Sequence, residues 1–161
     1  MSNEASLSLS KELFELTGWE DTDLYWIGQM AWGTKKIEYD LFRGQPDDIG
    51  DSWFDYNEKN LCYVGGVEAE TILDDVDDFC PAYDLGFLIR KLPAYIRKHQ
   101  YKYVFSLDVS AVDNPTTIDD MGWSCSYTRG AYLYLSEKAT TPEDCCCLLL
   151  IKLIKEKVIK I

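Results

Sequence analysis

The chain has little of what catalytic and metal sites usually need, beginning with a single histidine, His99, among its 161 residues. It contains no H-E-x-x-H, no P-loop and no G-x-G-x-x-G, which are the motifs of zinc proteases, phosphate-binding loops and dinucleotide-binding folds. A Cys-His or Ser-His nucleophile would have to use His99. Because His99 follows Lys98 at the expected end of a helix, we interpret it as a surface side chain. We therefore expect a protein that is not an enzyme and that carries no cofactor and no metal.

The acidic stretches DDVDD (74–78) and IDD (118–120) could bind a hard cation through oxygen ligands. Neither of them matches the calcium-loop pattern D-x-[DN]-x-[DN]-G. Paired carboxylates can also serve as general acids and bases, but a chain with 28 acidic side chains contains such pairs by chance.

Long apolar runs are also missing. No run reaches the roughly 18 to 20 residues that span a bilayer, and the opening MSNEASLSLSKELF has neither the basic nor the apolar region of a secretory signal. We expect no membrane partner and a cytoplasmic protein, in which the six cysteines stay reduced. None of them lies in a C-x-x-C pair, the spacing of redox and structural zinc motifs.

What the chain does have is acidic charge, and that charge is unevenly placed. Residues 1–84 hold 20 acidic and 5 basic side chains, a net of -15, whereas residues 85–161 hold 8 acidic and 11 basic ones, a net of +3. The total of -12 is not expected to favour direct binding of nucleic acid or of an anionic membrane. The acidic half is either a solvated face or a surface that docks onto a basic host protein.

Apolar residues at 47% and aromatic residues at 14% indicate a folded chain. Periodicity and capping signals predict the element order α-β-(insert)-β-α-β-β-α, in an α+β domain of residues 1–161 with a mainly antiparallel sheet of about four to five strands and helices packed on it. The first predicted helix is 8–19, capped by Ser8 or Ser10 and ended by Gly18. The second lies within 80–100, begins near Tyr83 or Asp84, and is broken or kinked at Pro93. The third runs from 141 to about 158. The predicted strands are 23–30, 37–42, 61–66, 101–112 and one or two over 123–137, with a helical turn and an acid-rich loop over 67–79.

The C-terminal helix has the strongest start signal. Thr141 can cap it, Pro142 takes the first helical position, where a missing N–H costs nothing, and Asp144 can close a capping box.

The three adjacent cysteines, 145–147, follow this start. Successive helical residues diverge by about 100°, so three consecutive thiolates cannot bind one metal ion. A helical wheel places Cys146 and Cys147 toward the apolar side, as small core residues. It places Cys145 in the direction of Lys152 and Glu156, so that Cys145 is expected to be the most exposed of the three.

Between residues 31 and 60 the periodic pattern disappears, in a stretch rich in glycine, acids and aromatic residues. A loop of this length in a compact domain is uncommon and often functional. Its aromatic side chains either fold back onto the core or form a binding patch. The candidate partner-binding residues are Trp32, Tyr39, Phe42, Arg43, Asp47, Asp48 and Trp53.

Three segments resemble a family of small, uncharacterised proteins encoded by phages and prophages of gut-type bacteria. They are LYWI (24–27), CPAYDLGFLIRKLP (80–93) and TPEDCCCLLLIKLIKE (141–156). The resemblance implies small-residue packing at positions 145 and 147, where the family uses alanine, and a bacterial host cell. It covers packing and capping motifs and implies no activity.

The sequence thus predicts a non-enzymatic accessory protein of a phage or mobile element that binds a protein partner, for example as a counter-defence or host-takeover inhibitor. Two alternatives stay open: a domain that sequesters a small ligand or nucleotide, and a structural protein of the virion.

Overall fold

The computed structural model describes residues 4–30, 37–43, 76–111 and 121–161. Its helices are α1 (Leu7–Thr17), α2 (Leu85–Lys91) and α3 (Pro142–Lys155). Its strands are β1 (Leu24–Met30), β2 (Ile37–Arg43), β3 (Val76–Ala82), β4 (Tyr95–Lys98), β5 (Tyr101–Ala111), β6 (Met121–Arg129) and β7 (Tyr132–Ala139). The predicted α+β class with antiparallel pairing is confirmed, although the described strands number seven and form two sheets.

The chain divides into two compact units, one of Met1–Gly18 with Tyr83–Ile161 and one of Trp19–Ala82, called the outer and the inserted unit below. The expectation of a single domain over 1–161 with an excursion at about 31–60 stays a prediction. Much of that excursion, and the strand expected at 61–66, lies outside the described residues.

The inserted unit contains an antiparallel sheet with the order β2-β1-β3. The predicted strands at 23–30 and 37–42 are confirmed as β1 and β2. The acid-rich loop expected up to residue 79 is wrong, because Val76–Ala82 pairs with β1 as strand β3. Strand preference depends mainly on neighbours, so this pairing overrides the low intrinsic β-propensity of its two aspartates.

The outer unit contains a four-stranded antiparallel meander, β4-β5-β6-β7. Helix α3 packs on β6 and β7 and also contacts α1 and α2. The core of the outer unit includes Leu13, Phe87, Leu88, Ile96, Cys125, Tyr127, Leu149, Leu150 and Leu153. The Tyr127 hydroxyl donates a hydrogen bond of 2.6 Å to the carbonyl of Pro93, which satisfies the polar end of a buried ring.

For the helix predicted within 80–100, the start at Asp84 and a break at Pro93 are confirmed, whereas a helix that continues past Pro93 is wrong. Helix α2 ends at Lys91, and Leu92 is extended (φ -75°, ψ 125°), as expected for a residue that precedes proline. The chain then forms β4, which pairs with β5 through a turn at 99–100. His99 therefore lies in a hairpin turn, with φ 55°, and not at a helix end.

Helix α1 ends where the sequence predicts, at Gly18. This glycine adopts φ 65°, and its N–H donates to the carbonyl of Phe14. The N-cap is Ser6 and not Ser8 or Ser10. The hydroxyl of Ser10 instead donates to the buried carbonyl of Ala5.

Helix α3 begins as predicted. The Thr141 hydroxyl accepts the N–H of Asp144 at 3.1 Å, and Pro142 occupies the first turn. The carboxylate of Asp144 accepts the N–H of Ser6 at 2.6 Å, so it ties α3 to the segment that precedes α1. The helix ends at Lys155, three residues before the predicted end.

We expect Thr141→Ala to lower the free energy of unfolding by about 1 kcal/mol, since it removes the side-chain cap of α3. Thr141→Ser keeps the hydroxyl and should stay close to the wild type. Urea denaturation of the three proteins measures the difference. Equal loss in both variants would mean that the methyl group, and not the cap, carries the effect.

Candidate functional site

The candidate residues of the 31–60 stretch are only partly described. Tyr39, Phe42 and Arg43 lie on β2, opposite Gly28, Tyr25 and Leu24 of β1 respectively. The side chain of Tyr39 is half-buried. The remaining four, Trp32, Asp47, Asp48 and Trp53, lie outside the described residues. Their assignment to partner binding stays a prediction.

The three adjacent cysteines are all buried, with 0% of each exposed. The prediction of core packing for Cys146 and Cys147 is confirmed, and the prediction that Cys145 is the most exposed is wrong. The Cys145 sulfur lies 3.0 Å from that of Cys125 on β6. It also contacts the carbonyl oxygens of Trp123 and Glu137, at 3.4 and 3.3 Å.

The helical wheel gives the correct direction for Cys145, but the interpretation of that direction as solvent is wrong. Cys145 does point in the same direction as Lys152, but that direction faces the sheet. The Lys152 amine reaches Glu137 of β7 at 2.6 Å. Cys147 lies on another side of the helix, where its sulfur is 3.6 Å from the carbonyl of Leu9 on α1. Helix α3 is thus buried on two sides. A helical wheel shows the direction of a polar side chain, but it cannot show whether that side chain meets a sheet or solvent.

The cluster of three thiols formed by Cys125, Cys145 and Cys146 is unsuited to nucleophilic chemistry. Hydrogen bonding to Cys145 and Cys146, together with burial, raises the pKa of Cys125, whereas the bond to Cys125 lowers the pKa of Cys145. Burial raises the pKa of Cys147. A reactive thiolate also needs access to its substrate, and these sulfurs have none. Within the described ranges, no three His, Cys, Asp or Glu side chains are placed to share a metal ion.

A different set of side chains forms the most chemically distinctive surface of the described chain. The two hairpin turns that the structure describes in the outer sheet, 99–100 and 130–131, lie at the same end, because Val104 of β5 is opposite Thr128 of β6. Cations and tyrosines cluster there. We call this set the basic–tyrosine surface: Lys98, Tyr101, Tyr103, Arg129, Tyr132 and Tyr134.

Its geometry is set by strand register. Lys98 is directly opposite Tyr101, and Arg129 is directly opposite Tyr132. The Arg129 guanidinium carbon lies 3.7 Å from the ring centroid of Tyr101 and 5.4 Å from that of Tyr132. These are cation–π distances. Arg129 therefore links two tyrosines on neighbouring hairpins.

A second stack lies beside the first. The Lys98 amine is 4.2 Å from the ring centroid of Tyr134, and this ring lies 5.3 Å from that of Tyr103. The register shift between Tyr127 and Thr128 leaves Tyr134 opposite the irregularity, and such bulges often redirect a side chain. Tyr101 and Tyr132 remain 41% and 67% exposed, so large aromatic area stays in water.

The local electrostatics differ from those of the whole chain. Residues 85–107 contain five Lys and Arg side chains and no acid, and residues 121–136 contain Arg129 and no acid. Strand alternation places Tyr95, Arg97 and Lys102 on the opposite face of the sheet from Lys98 and Tyr101. On that face the Lys102 amine and the Arg97 guanidinium carbon lie 4.1 and 6.0 Å from the ring centroid of Tyr95. This end of the sheet is therefore basic in a chain whose formal charge is -12.

Sequence reasoning missed this surface because it placed 95–98 in a helix. The usable signal was the acid-free run of residues 85–107, together with tyrosines on either side of two turns.

Several carboxylate side chains lie around the first turn of α3. Glu143 is buried, 6% exposed, and Glu4, Asp84 and Asp144 lie close enough to act on it. The helix N-terminus favours its negative charge, but burial opposes the charge and raises the pKa of Glu143, with the neighbouring carboxylates adding to the rise. Burial is therefore the stronger effect.

Among the described residues, no helix is long and apolar enough to cross a membrane. No protein-family model, no curated protein and no solved structure matches the chain. Function is therefore inferred from the chemistry of the described side chains.

We expect Cys125 and Cys145–Cys147 to resist alkylation in the native protein and to react fully in denaturant. Peptide mass spectrometry after iodoacetamide treatment resolves each site. Selective native labelling of Cys145 would show that this thiol is open to solvent, contrary to its contact with the sheet.

Glu143→Gln should raise the free energy of unfolding at pH 7 by about 0.5–1 kcal/mol, a usual size for one improved charge. An acid whose folded pKa is raised favours the native state below its ordinary pKa, and this contribution is lost as the pH rises through the folded pKa. The advantage of the variant should accordingly shrink toward pH 4.5. Urea denaturation at both pH values tests this, with Glu15→Gln, an exposed residue of α1, as control. An advantage equal at both pH values would contradict it.

Proposed function

We propose that the protein has no enzymatic activity and acts by binding another protein. The basic–tyrosine surface is the observation that supports this proposal. Tyrosine and arginine are enriched among the residues that dominate binding energy at protein interfaces. Here the Arg129 guanidinium lies within cation–π distance of two tyrosines that are both exposed.

The described cysteines also support a role without thiol catalysis. All five cysteines in the described ranges are buried. His99 is exposed in a hairpin turn, next to Lys98 in sequence. A nucleophile and its base need to lie within hydrogen-bond reach of each other, and buried thiols do not present such a pair to a substrate.

We further propose that the protein serves a phage or mobile element in the cytoplasm of a bacterial host, for example as a counter-defence or host-takeover inhibitor. The support for this setting is the resemblance of three segments. These segments fall on β1, on the stretch from β3 through α2, and on α3. They are framework elements, so the resemblance concerns the scaffold and leaves the partner to be found.

The acidic, aromatic stretch 31–60 is the second proposed contact surface, directed toward a basic surface of a host protein. Its charge is opposite to that of the basic–tyrosine surface, since residues 31–60 hold seven acidic and four basic side chains. Variants of the two surfaces therefore separate the two assignments.

We expect Arg129→Gln/Tyr132→Ala to reduce partner capture from bacterial host lysate by tenfold or more. Tenfold corresponds to about 1.4 kcal/mol, which is within the range of a single interface hot spot. Quantitative mass spectrometry of the captured proteins, with Arg90→Gln as a matched control, measures it. Arg90 is an exposed cation on α2, outside the surface.

Trp32→Ala/Phe42→Ala/Trp53→Ala is the companion variant. Loss of capture in this variant alone would move the contact to residues 31–60. An unchanged partner profile for both variants, with thermal unfolding like that of the wild type, would contradict partner binding through either surface.

A further inference from the structure

We infer that the basic–tyrosine surface binds an acidic segment of the partner, an extended stretch of protein with several Asp or Glu side chains. The inference rests on the proposed function, protein binding, and names the chemistry that the surface recognises. It is carried by the cations, by their placement over the rings and by the charge around them.

The cations are available for carboxylates. Among the described residues, neither Lys98 nor Arg129 forms an ion pair; the two described salt bridges belong to α3, through Lys152 and Lys155. The Arg129 guanidinium carbon lies 3.7 Å from the Tyr101 ring centroid. Within the described part of the chain no hydrogen bond uses the N–H groups of Arg129, so they are available to a carboxylate. A guanidinium edge can hold a carboxylate through two parallel hydrogen bonds.

The rings hold these cations in place before a ligand arrives. Long basic side chains usually lose rotamer freedom on binding, and this loss weakens the affinity. Arg129 over Tyr101 and Lys98 over Tyr134 are already confined, at 3.7 and 4.2 Å. The tyrosines add rigid, amphipathic contact area at a low entropic cost. Part of the ordering is therefore complete in the free protein.

The same geometry favours carboxylates over a nucleic acid. Single-strand binding uses aromatic faces on which bases stack, but here cations lie over the rings of Tyr101, Tyr132 and Tyr134. Strong nucleic-acid binding also neutralises about 6–10 phosphates. This end of the sheet offers only four described cations, which are Arg97, Lys98, Lys102 and Arg129.

Charge complementarity identifies the ligand class. The surface lacks acidic side chains over residues 85–107 and 121–136, so an approaching carboxylate meets no local repulsion from these segments. Surface charges further away than about 8–10 Å are largely screened at physiological salt. Charges close to the surface therefore contribute more to this binding than the chain's total of -12 does.

The test uses fluorescence anisotropy of the full chain with three labelled probes: a short peptide of alternating Glu and Gly, its Lys-Gly counterpart, and a short oligothymidylate. We expect the Glu peptide to bind, the Lys peptide not to bind, and binding of the Glu peptide to weaken as salt rises. Lys98→Gln/Arg129→Gln should weaken binding of the Glu peptide by tenfold or more. Arg90→Gln should leave it within twofold of the wild type.

Four results would overturn the inference. The first is that the Glu peptide does not bind the wild type, and the second is that oligothymidylate binds more tightly than the Glu peptide. The third is that the double variant binds the Glu peptide as tightly as the wild type does. The fourth is that light scattering shows a mass that increases with protein concentration in the wild type and not in the double variant. The last would make a second copy of the chain the occupant. Partner capture that persists while the Glu peptide fails would refute the acidic-segment inference alone. Absence of specific partner capture by the wild-type protein would refute the proposed function itself.

Discussion

The outer unit depends on the burial of helix α3 on two sides. Its leucines at 149, 150 and 153 have no exposed surface, and full burial of one such side chain contributes about 1.5–3 kcal/mol. One side of the helix packs on β6 and β7, and the helix also contacts α1 and α2. On the side that faces the sheet, the Cys145 sulfur lies 3.0 Å from that of Cys125. A larger residue there would overpack a close helix–sheet contact.

The limited reach of this helix explains the exposed surface. Along β4, β6 and β7 the buried side chains Ile96, Tyr127 and Leu135 are followed, toward the turns, by residues that are half-buried or exposed. Beyond the cover of the core, the sheet still carries large tyrosine rings. Cations lie over those rings in place of apolar neighbours. The structure therefore leaves aromatic area in water but keeps it organised, as a binding surface requires.

Local signals were predictable from sequence and non-local ones were not. The Thr141-Pro142 start of α3 and the Gly18 end of α1 rest on a few adjacent residues, and both were found. The sequence places Arg97 and Lys98 at a helix end, because cations are favourable near the C-terminus of a helix. What places them in a strand is pairing with β5, and strand pairing has no local signature. The wheel similarly gave the direction of Cys145 but could not show what lies there.

The same limit affects arguments from charge. The inserted unit, 19–82, holds 16 acidic and 4 basic side chains, whereas the outer unit holds 12 of each. The net charge of the chain therefore describes the inserted unit and conceals a neutral outer unit with one basic end. Because screening restricts charge effects to about 8–10 Å, a ligand at that end responds to Arg129, Lys98 and their neighbours. Whole-chain charge predicts solubility and long-range attraction, while the sign of a binding surface follows from which strands meet at one end of a sheet.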